Sequence, residues 1–149
     1  MLTDLQIAFI GGGTMGEIII SRLLSTKTVH KPDLIVVSEP LAARCLHLES
    51  DYGVRTTSCN IEAVQGASIV ILAVKPQILT SVAAMLKGKI SLEALVISIV
   101  AGASVTSLCQ GLNHPAVVRT MPNIAVEVGQ GTTVWSASSS VTEIQRSHT

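Results

Sequence analysis

Three glycines in Gly11-Gly12-Gly13-Thr14-Met15-Gly16 stand directly after the apolar run Gln6-Ile7-Ala8-Phe9-Ile10, and an apolar helical pattern follows at once. A G-x-G-x-x-G spacing between a strand and a helix suits the holding of a dinucleotide pyrophosphate. Gly11 allows the tight turn out of the strand. Gly13 has no Cβ, so a pyrophosphate can approach the backbone, and Gly16 lets the helix pack closely on the strand. Thr14 and Met15 open that helix, where free N–H groups and a partial positive charge face an anion. The Met15 side chain itself reads as core.

Glu39 follows the second apolar run, 23 residues after Gly16. An acidic residue at this distance bonds the adenosine ribose 2′-hydroxyl, and its charge opposes a 2′-phosphate. That leans the cofactor toward NADH; the alternative for Glu39 is a solvated loop carboxylate. Ser38 and Arg44 keep NADPH open, because a hydroxyl and a guanidinium can both hold a phosphate, although Arg44 also fits a solvated helix face. The four histidines, His30, His47, His114 and His148, show no ligand spacing and no paired carboxylate, and each reads as a surface or loop residue. No metal site and no Ser-His-Asp arrangement is expected, and no catalytic residue is assigned.

The elements that must position these residues alternate strand and helix. Strands are expected at 6–10, 34–38, 54–56, 69–74, 95–100, 116–120 and 132–136. Helices are expected at 14–25, with Ile18, Ile19, Leu23 and Leu24 facing inward, at 41–50, from Asn60 to Gln65, from Pro76 to about Lys87, after Ser104, and from Val141 onward. Gly53 and Ser104 suit caps, and Asn60 suits an N-cap. Repeated units of this length imply an α/β fold, a doubly wound, mostly parallel, Rossmann-like sheet. Ligands bind at the carboxyl ends of such strands. The residues there, Gly11–Gly16, Ser38-Glu39, Val74-Lys75-Pro76, Ala101-Gly102 and Met121-Pro122-Asn123, are expected to line one crevice.

Composition agrees. Hydrophobic residues make up 48% and aromatics only 2% of 149 residues, so the core of one domain must be aliphatic. Formal net charge is zero and no basic cluster exists, which speaks against nucleic acid as a partner. No apolar stretch is long enough to span a membrane, and the opening residues are not expected to be a signal peptide. Cys45, Cys59 and Cys109 match no disulfide or zinc spacing, so reduced thiols in a cytoplasmic protein are expected.

Beyond the glycines, the chain carries Ala73-Val74-Lys75-Pro76, Ser98-Ile99-Val100-Ala101-Gly102 and Arg119-Thr120-Met121-Pro122-Asn123, in that order. With these motifs, from Gln6 to about Gln145, it resembles the pyrroline-5-carboxylate reductases. The resemblance implies NAD(P)H-dependent reduction of the C=N bond of 1-pyrroline-5-carboxylate to L-proline. It also implies a second, helical domain that dimerises and supplies most of the substrate pocket, so a homo-oligomer is expected. Asn60 matches a family position on the adenosine side. Val74, Lys75 and Pro76 are expected beneath the ribose next to the nicotinamide, with backbone rather than Lys75 side-chain contact. Ala101 and Gly102 would let the nicotinamide approach the backbone. Asn123 would orient the carboxamide or the nearby loop, or serve as a turn residue after Pro122.

Two departures stand out. Ile124-Ala125 replaces the family's common Thr-Pro, and the chain ends at Thr149 inside an expected helix. Residues 1–149 therefore read as a dinucleotide-binding domain incomplete at its C-terminus, with the helical domain absent. Exposed apolar surface near that end, and hence self-association or weak stability, is expected. The competing readings are another dehydrogenase, acting on β-hydroxy acids or prephenate, and a non-catalytic dinucleotide-binding module.

Overall fold

The computed structural model describes residues 4–122 and 133–149. Seven strands form one sheet: β1 (Ile7–Ile10), β2 (Ile35–Ser38), β3 (Arg55–Thr57), β4 (Ile69–Leu72), β5 (Leu95–Ser98), β6 (Val117–Pro122) and β7 (Thr133–Ala137). Among the described residues six α-helices accompany them: α1 (Thr14–Ser25), α2 (Ala42–Tyr52), α3 (Asn60–Val64), α4 (Leu79–Leu86), α5 (Val105–Leu112) and α6 (Glu143–Ser147). The spatial order is β3-β2-β1-β4-β5-β6-β7. The first six strands are parallel and β7 runs antiparallel to β6. This is the doubly wound dinucleotide order with one added edge strand, and the order reverses between β1 and β4.

The strands are continuous apolar runs because both faces of the sheet are covered. Side chains alternate between two cores. Ala8, Ile10, Val70, Leu72 and Val96 face α3, α4 and α5. Ile7, Phe9, Ile35, Val37, Ile69 and Ile71 face α1 and α2, meeting Ile20 and Leu48. The register sets Thr57, Ser38, Ile10, Leu72, Ser98 and Arg119 in one row across the sheet. The carboxyl ends of β1 to β5 are therefore level, and the turns that leave them share one edge, while β6 runs on to Pro122.

Several boundaries differ from the sequence expectation, each for a local reason. β5 stops at Ser98, whose Oγ accepts from the Val100 N–H and turns the chain. β4 stops at Leu72, although the Ala73 N–H still bonds the Ile10 carbonyl. Pro76 opens a 3₁₀ turn, Pro76–Ile78, before α4 begins. Ile20, not Ile18, is the fully buried residue of α1. α6 is shorter than expected and starts at a capping box between Thr142 and Gln145, while Val141 is buried in the core ahead of it. Gly53 caps α2 in the left-handed conformation and Ser104 caps α5 through the Ser107 N–H, both as expected. Among the described residues no helix is long and apolar enough to cross a membrane.

Candidate dinucleotide site

The turn from β1 into α1 is shaped by what a Cβ would meet. Gly11 has φ +103°, and a Cβ there would lie 2.7 Å from the Ala73 carbonyl oxygen. At Gly16 a Cβ would lie 2.8 Å from the Gly11 carbonyl oxygen. Both glycines therefore serve packing of strand, turn and helix. Gly13 is different: a Cβ there meets nothing within 4 Å. The space in front of it is open, and it lies at the first turn of α1, which no side chain caps. An uncapped helix start presents unsatisfied N–H groups, so the turn fits a pyrophosphate. Thr14 is exposed and Met15 is half-buried.

Gly12 carries a role the spacing did not reveal. It is buried, and a Cβ would lie 2.8 Å from Leu48 Cδ1. Its N–H donates to Glu39 Oε2 at 3.0 Å, and its carbonyl accepts from Arg44 Nε and Nη2 at 3.0 and 2.6 Å. Arg44 Nη2 also bonds Glu17 Oε2 at 2.6 Å. Glu17 Oε1 accepts from His47 Nε2 at 2.7 Å and from the Tyr52 hydroxyl at 2.9 Å. Burial works to raise the Glu17 pKa, but the hydrogen bonds from His47, Arg44 and Tyr52 and the Arg44 charge outweigh it and hold it down at about 2. Tyr52 is pushed up, by burial and then by its bond to Glu17.

This geometry corrects three expectations. Glu39 is 8% exposed, and its carboxylate is folded inward, with Oε1 accepting from the Leu41 N–H at 3.1 Å. Backbone N–H groups hold one acceptor site on each of its oxygens, so it is not a solvated loop carboxylate. His47 has carboxylate partners, Glu17 and, at 3.4 Å, Asp51. His114 is not a surface residue: it is 2% exposed and its Nε2 lies 2.8 Å from the Ala94 carbonyl. Of these, only the His47–Asp51 pair had a sequence signal, the i,i+4 spacing on a helix.

Ser38 is buried, and its hydroxyl donates to Asn60 Oδ1 at 2.6 Å. Asn60 is the first residue of α3 rather than its cap; Cys59 stands at that position without a side-chain bond. Ser38 and Asn60 thus meet at the carboxyl ends of β2 and β3. A hollow of about 350 Å³ lies beside them, between the turn after β2, the start of α2 and the end of β3, lined by Glu39, Pro40, Cys45, Leu46, Thr57 and Ser58 but not by Ser38 or Asn60. Across the switch point, Pro76, Ala101 and Gly102 share a second cavity, of about 570 Å³, with Leu79, Thr80 and Ser107. Ala73 and Val74 are half-buried behind it and Lys75 is exposed. Asn123 lies outside the described residues. Among the described residues no cluster suits a metal ion, and Cys45, Cys59 and Cys109 are free thiols.

Residues 6–102 match the family model described as NADP oxidoreductase, coenzyme F420-dependent. The chain is 42% identical over 138 residues to a pyrroline-5-carboxylate reductase from Synechocystis sp., covering 93% of this chain and 51% of that protein. It superposes with a TM-score of 0.91 and 31% identity on a pyrroline-5-carboxylate reductase from Coxiella burnetii, covering 97% of this chain and 53% of that one. The fold is shared, at a TM-score of 0.84 and 23% identity, with the Plasmodium falciparum pyrroline carboxylate reductase, whose crystal structure has NADP bound; the match covers 97% of this chain and 52% of that one. The chain spans about half the length of the curated relatives it matches. It belongs to the NADP oxidoreductase, coenzyme F420-dependent family, and the relatives it matches are pyrroline-5-carboxylate reductases.

Proposed function

We propose that the chain binds a nicotinamide dinucleotide at the Gly11–Gly16 turn for the reduction of 1-pyrroline-5-carboxylate to L-proline. The observation that carries this reading is the open space at Gly13 before the uncapped start of α1. When bound, the nicotinamide supplies a hydride to the imine carbon, and a proton from solvent or substrate completes the amine. Thr14 and Met15 contribute backbone N–H groups to the pyrophosphate. Ser38 and Asn60 hold the adenosine side. Ala73, Val74, Lys75 and Pro76 pass beneath the nicotinamide ribose through their backbone, Ala101 and Gly102 give the ring room, and Asn123 orients the carboxamide. With the Glu39 carboxylate drawn inward by the Gly12 and Leu41 N–H groups, both NADH and NADPH fit the reading. The three free thiols suit the reducing cytoplasm.

The discriminating experiment is to mix the purified chain with NADH or NADPH and 1-pyrroline-5-carboxylate and follow nicotinamide absorbance and proline. Proline formed in step with nicotinamide oxidation supports the imine reductase reading. Dinucleotide binding without turnover limits these residues to cofactor binding. A homo-oligomer belongs to the same proposal, since Val134, Trp135 and Ile144 are exposed near the C-terminal end. Light scattering that reports a monomer at all concentrations would remove that part.

A further inference from the structure

The Gly12–Gly13 peptide is the feature that the dinucleotide reading leaves unexplained. A Gly-Gly peptide has little steric preference and can turn over readily. Here both polar groups of Gly12 are held by side chains from beyond β2, the N–H by Glu39 and the carbonyl by two nitrogens of Arg44. Arg44 is held in turn by Glu17 from α1, and Glu17 is bonded by His47 and Tyr52 from α2. Arg44 and Glu17 are only 31% and 21% exposed, and the ion pair is 2.6 Å long.

A trans peptide points its carbonyl and the following N–H to opposite sides, and no cis bond occurs among the described residues. With the Gly12 carbonyl turned to Arg44, the Gly13 N–H must point away from it. That N–H has no partner among the described residues. If the peptide turned over, a carbonyl oxygen would replace the N–H there and repel a phosphate.

We propose that Arg44 is a positioning residue of the pyrophosphate site: it holds the Gly12 carbonyl and so keeps the Gly13 N–H available to the dinucleotide, rather than binding a 2′-phosphate. This rests on the dinucleotide reading and adds to it. Glu17 stays ionised well below neutral pH, so the anchor on Arg44 persists throughout the useful range. Preorganising a donor in this way improves affinity by removing the cost of ordering it.

The test is calorimetric titration of the whole chain with NADH and NADPH, for the wild type, Arg44→Met and Arg44→Lys, together with the Gly13 amide resonance of each free protein. Arg44→Met weakens both dinucleotides by the same factor, on the order of tenfold, the scale of one charge-assisted hydrogen bond. Its Gly13 amide shifts or broadens before any ligand is added. Arg44→Lys, which keeps the charge beside Glu17 but loses the fork, retains the fold and falls between. A loss confined to NADPH would make Arg44 a 2′-phosphate ligand and overturn the proposal. Unchanged affinities with a lowered melting temperature alone would also overturn it. If the wild type bound neither dinucleotide, the underlying reading would fall and this proposal with it, a result distinct from an effect of the variants.

Discussion

Glu39 and Gly12 are joined across 27 positions by a 3.0 Å hydrogen bond from the Gly12 N–H to Glu39 Oε2. The bond ties the turn after β1 to the turn after β2 at the carboxyl edge of the sheet. It turns a carboxylate that sequence spacing assigns to a cofactor ribose into a brace for the glycine loop.

Glu39→Gln tests this directly. The amide offers one acceptor where two backbone N–H groups, of Gly12 and Leu41, need one each. One N–H then faces a donor, at a cost of about 1–3 kcal/mol. Urea unfolding should show that loss, and the ratio of NADH to NADPH affinity should stay within roughly threefold, too small a change for a lost charge contact. A ratio moving roughly tenfold or more toward NADPH would restore Glu39 to the ribose.

Gly11→Ala should damage the fold before it damages binding. The added Cβ meets backbone, the Ala73 carbonyl oxygen at 2.7 Å, at a φ of +103°. The expected loss is on the order of 2–4 kcal/mol, or roughly 5–15 °C in melting temperature for a domain of this size. A thermal melt superimposable on the wild type would contradict the packing role.

Stability should fall in acid in two stages. Burial lowers the His114 pKa below its ordinary 6.5, against a bond to the Ala94 carbonyl that raises it. The folded state therefore keeps His114 neutral, and the unfolded state takes up the proton first. Stability is complete above 6.5 and falls as pH drops below it, by up to roughly 1.4 kcal/mol per pH unit. Glu17 acts in a lower window: its stabilisation is complete above 4.5 and is lost as pH falls toward about 2. Denaturant unfolding at a series of pH values should resolve both stages. His114→Gln, which keeps a neutral donor near Ala94, should remove the first stage alone; persistence of that stage in the variant would assign it elsewhere.

Much of this was legible in the sequence, because the signals are local. The strands are continuous aliphatic runs, Gly53 and Ser104 stop and start helices by their own conformation or hydroxyl, and the glycine spacing marks the loop. The roles of Gly11 and Gly16 follow from close approach, which only a missing Cβ permits. What the sequence did not reveal depends on neighbours brought together by the sheet order. Glu39 turns inward because β2 places it beside the Gly12 N–H. Glu17 and Arg44, 27 positions apart, meet only because α1 and α2 lie on the same face. Asn60 could cap a helix as well as bond Ser38, and only the register of β2 with β3 decides between them. His114 is buried by the same sheet order, which brings it against Ala94 ahead of β5.

The central claim is tested most directly by calorimetric titration of the wild type and Gly13→Val with NADPH and NADH. Because nothing lies within 4 Å of a Cβ at Gly13, the variant should fold, with a loss of about 1–2 kcal/mol at most from a poorer N-cap. The wild type should bind at least one dinucleotide, and the variant should bind it at least about tenfold more weakly, a loss of about 1.4 kcal/mol or more. Equal affinity in the folded variant, or no binding of either dinucleotide by the wild type, would contradict the assignment of the Gly11–Gly16 turn to a pyrophosphate.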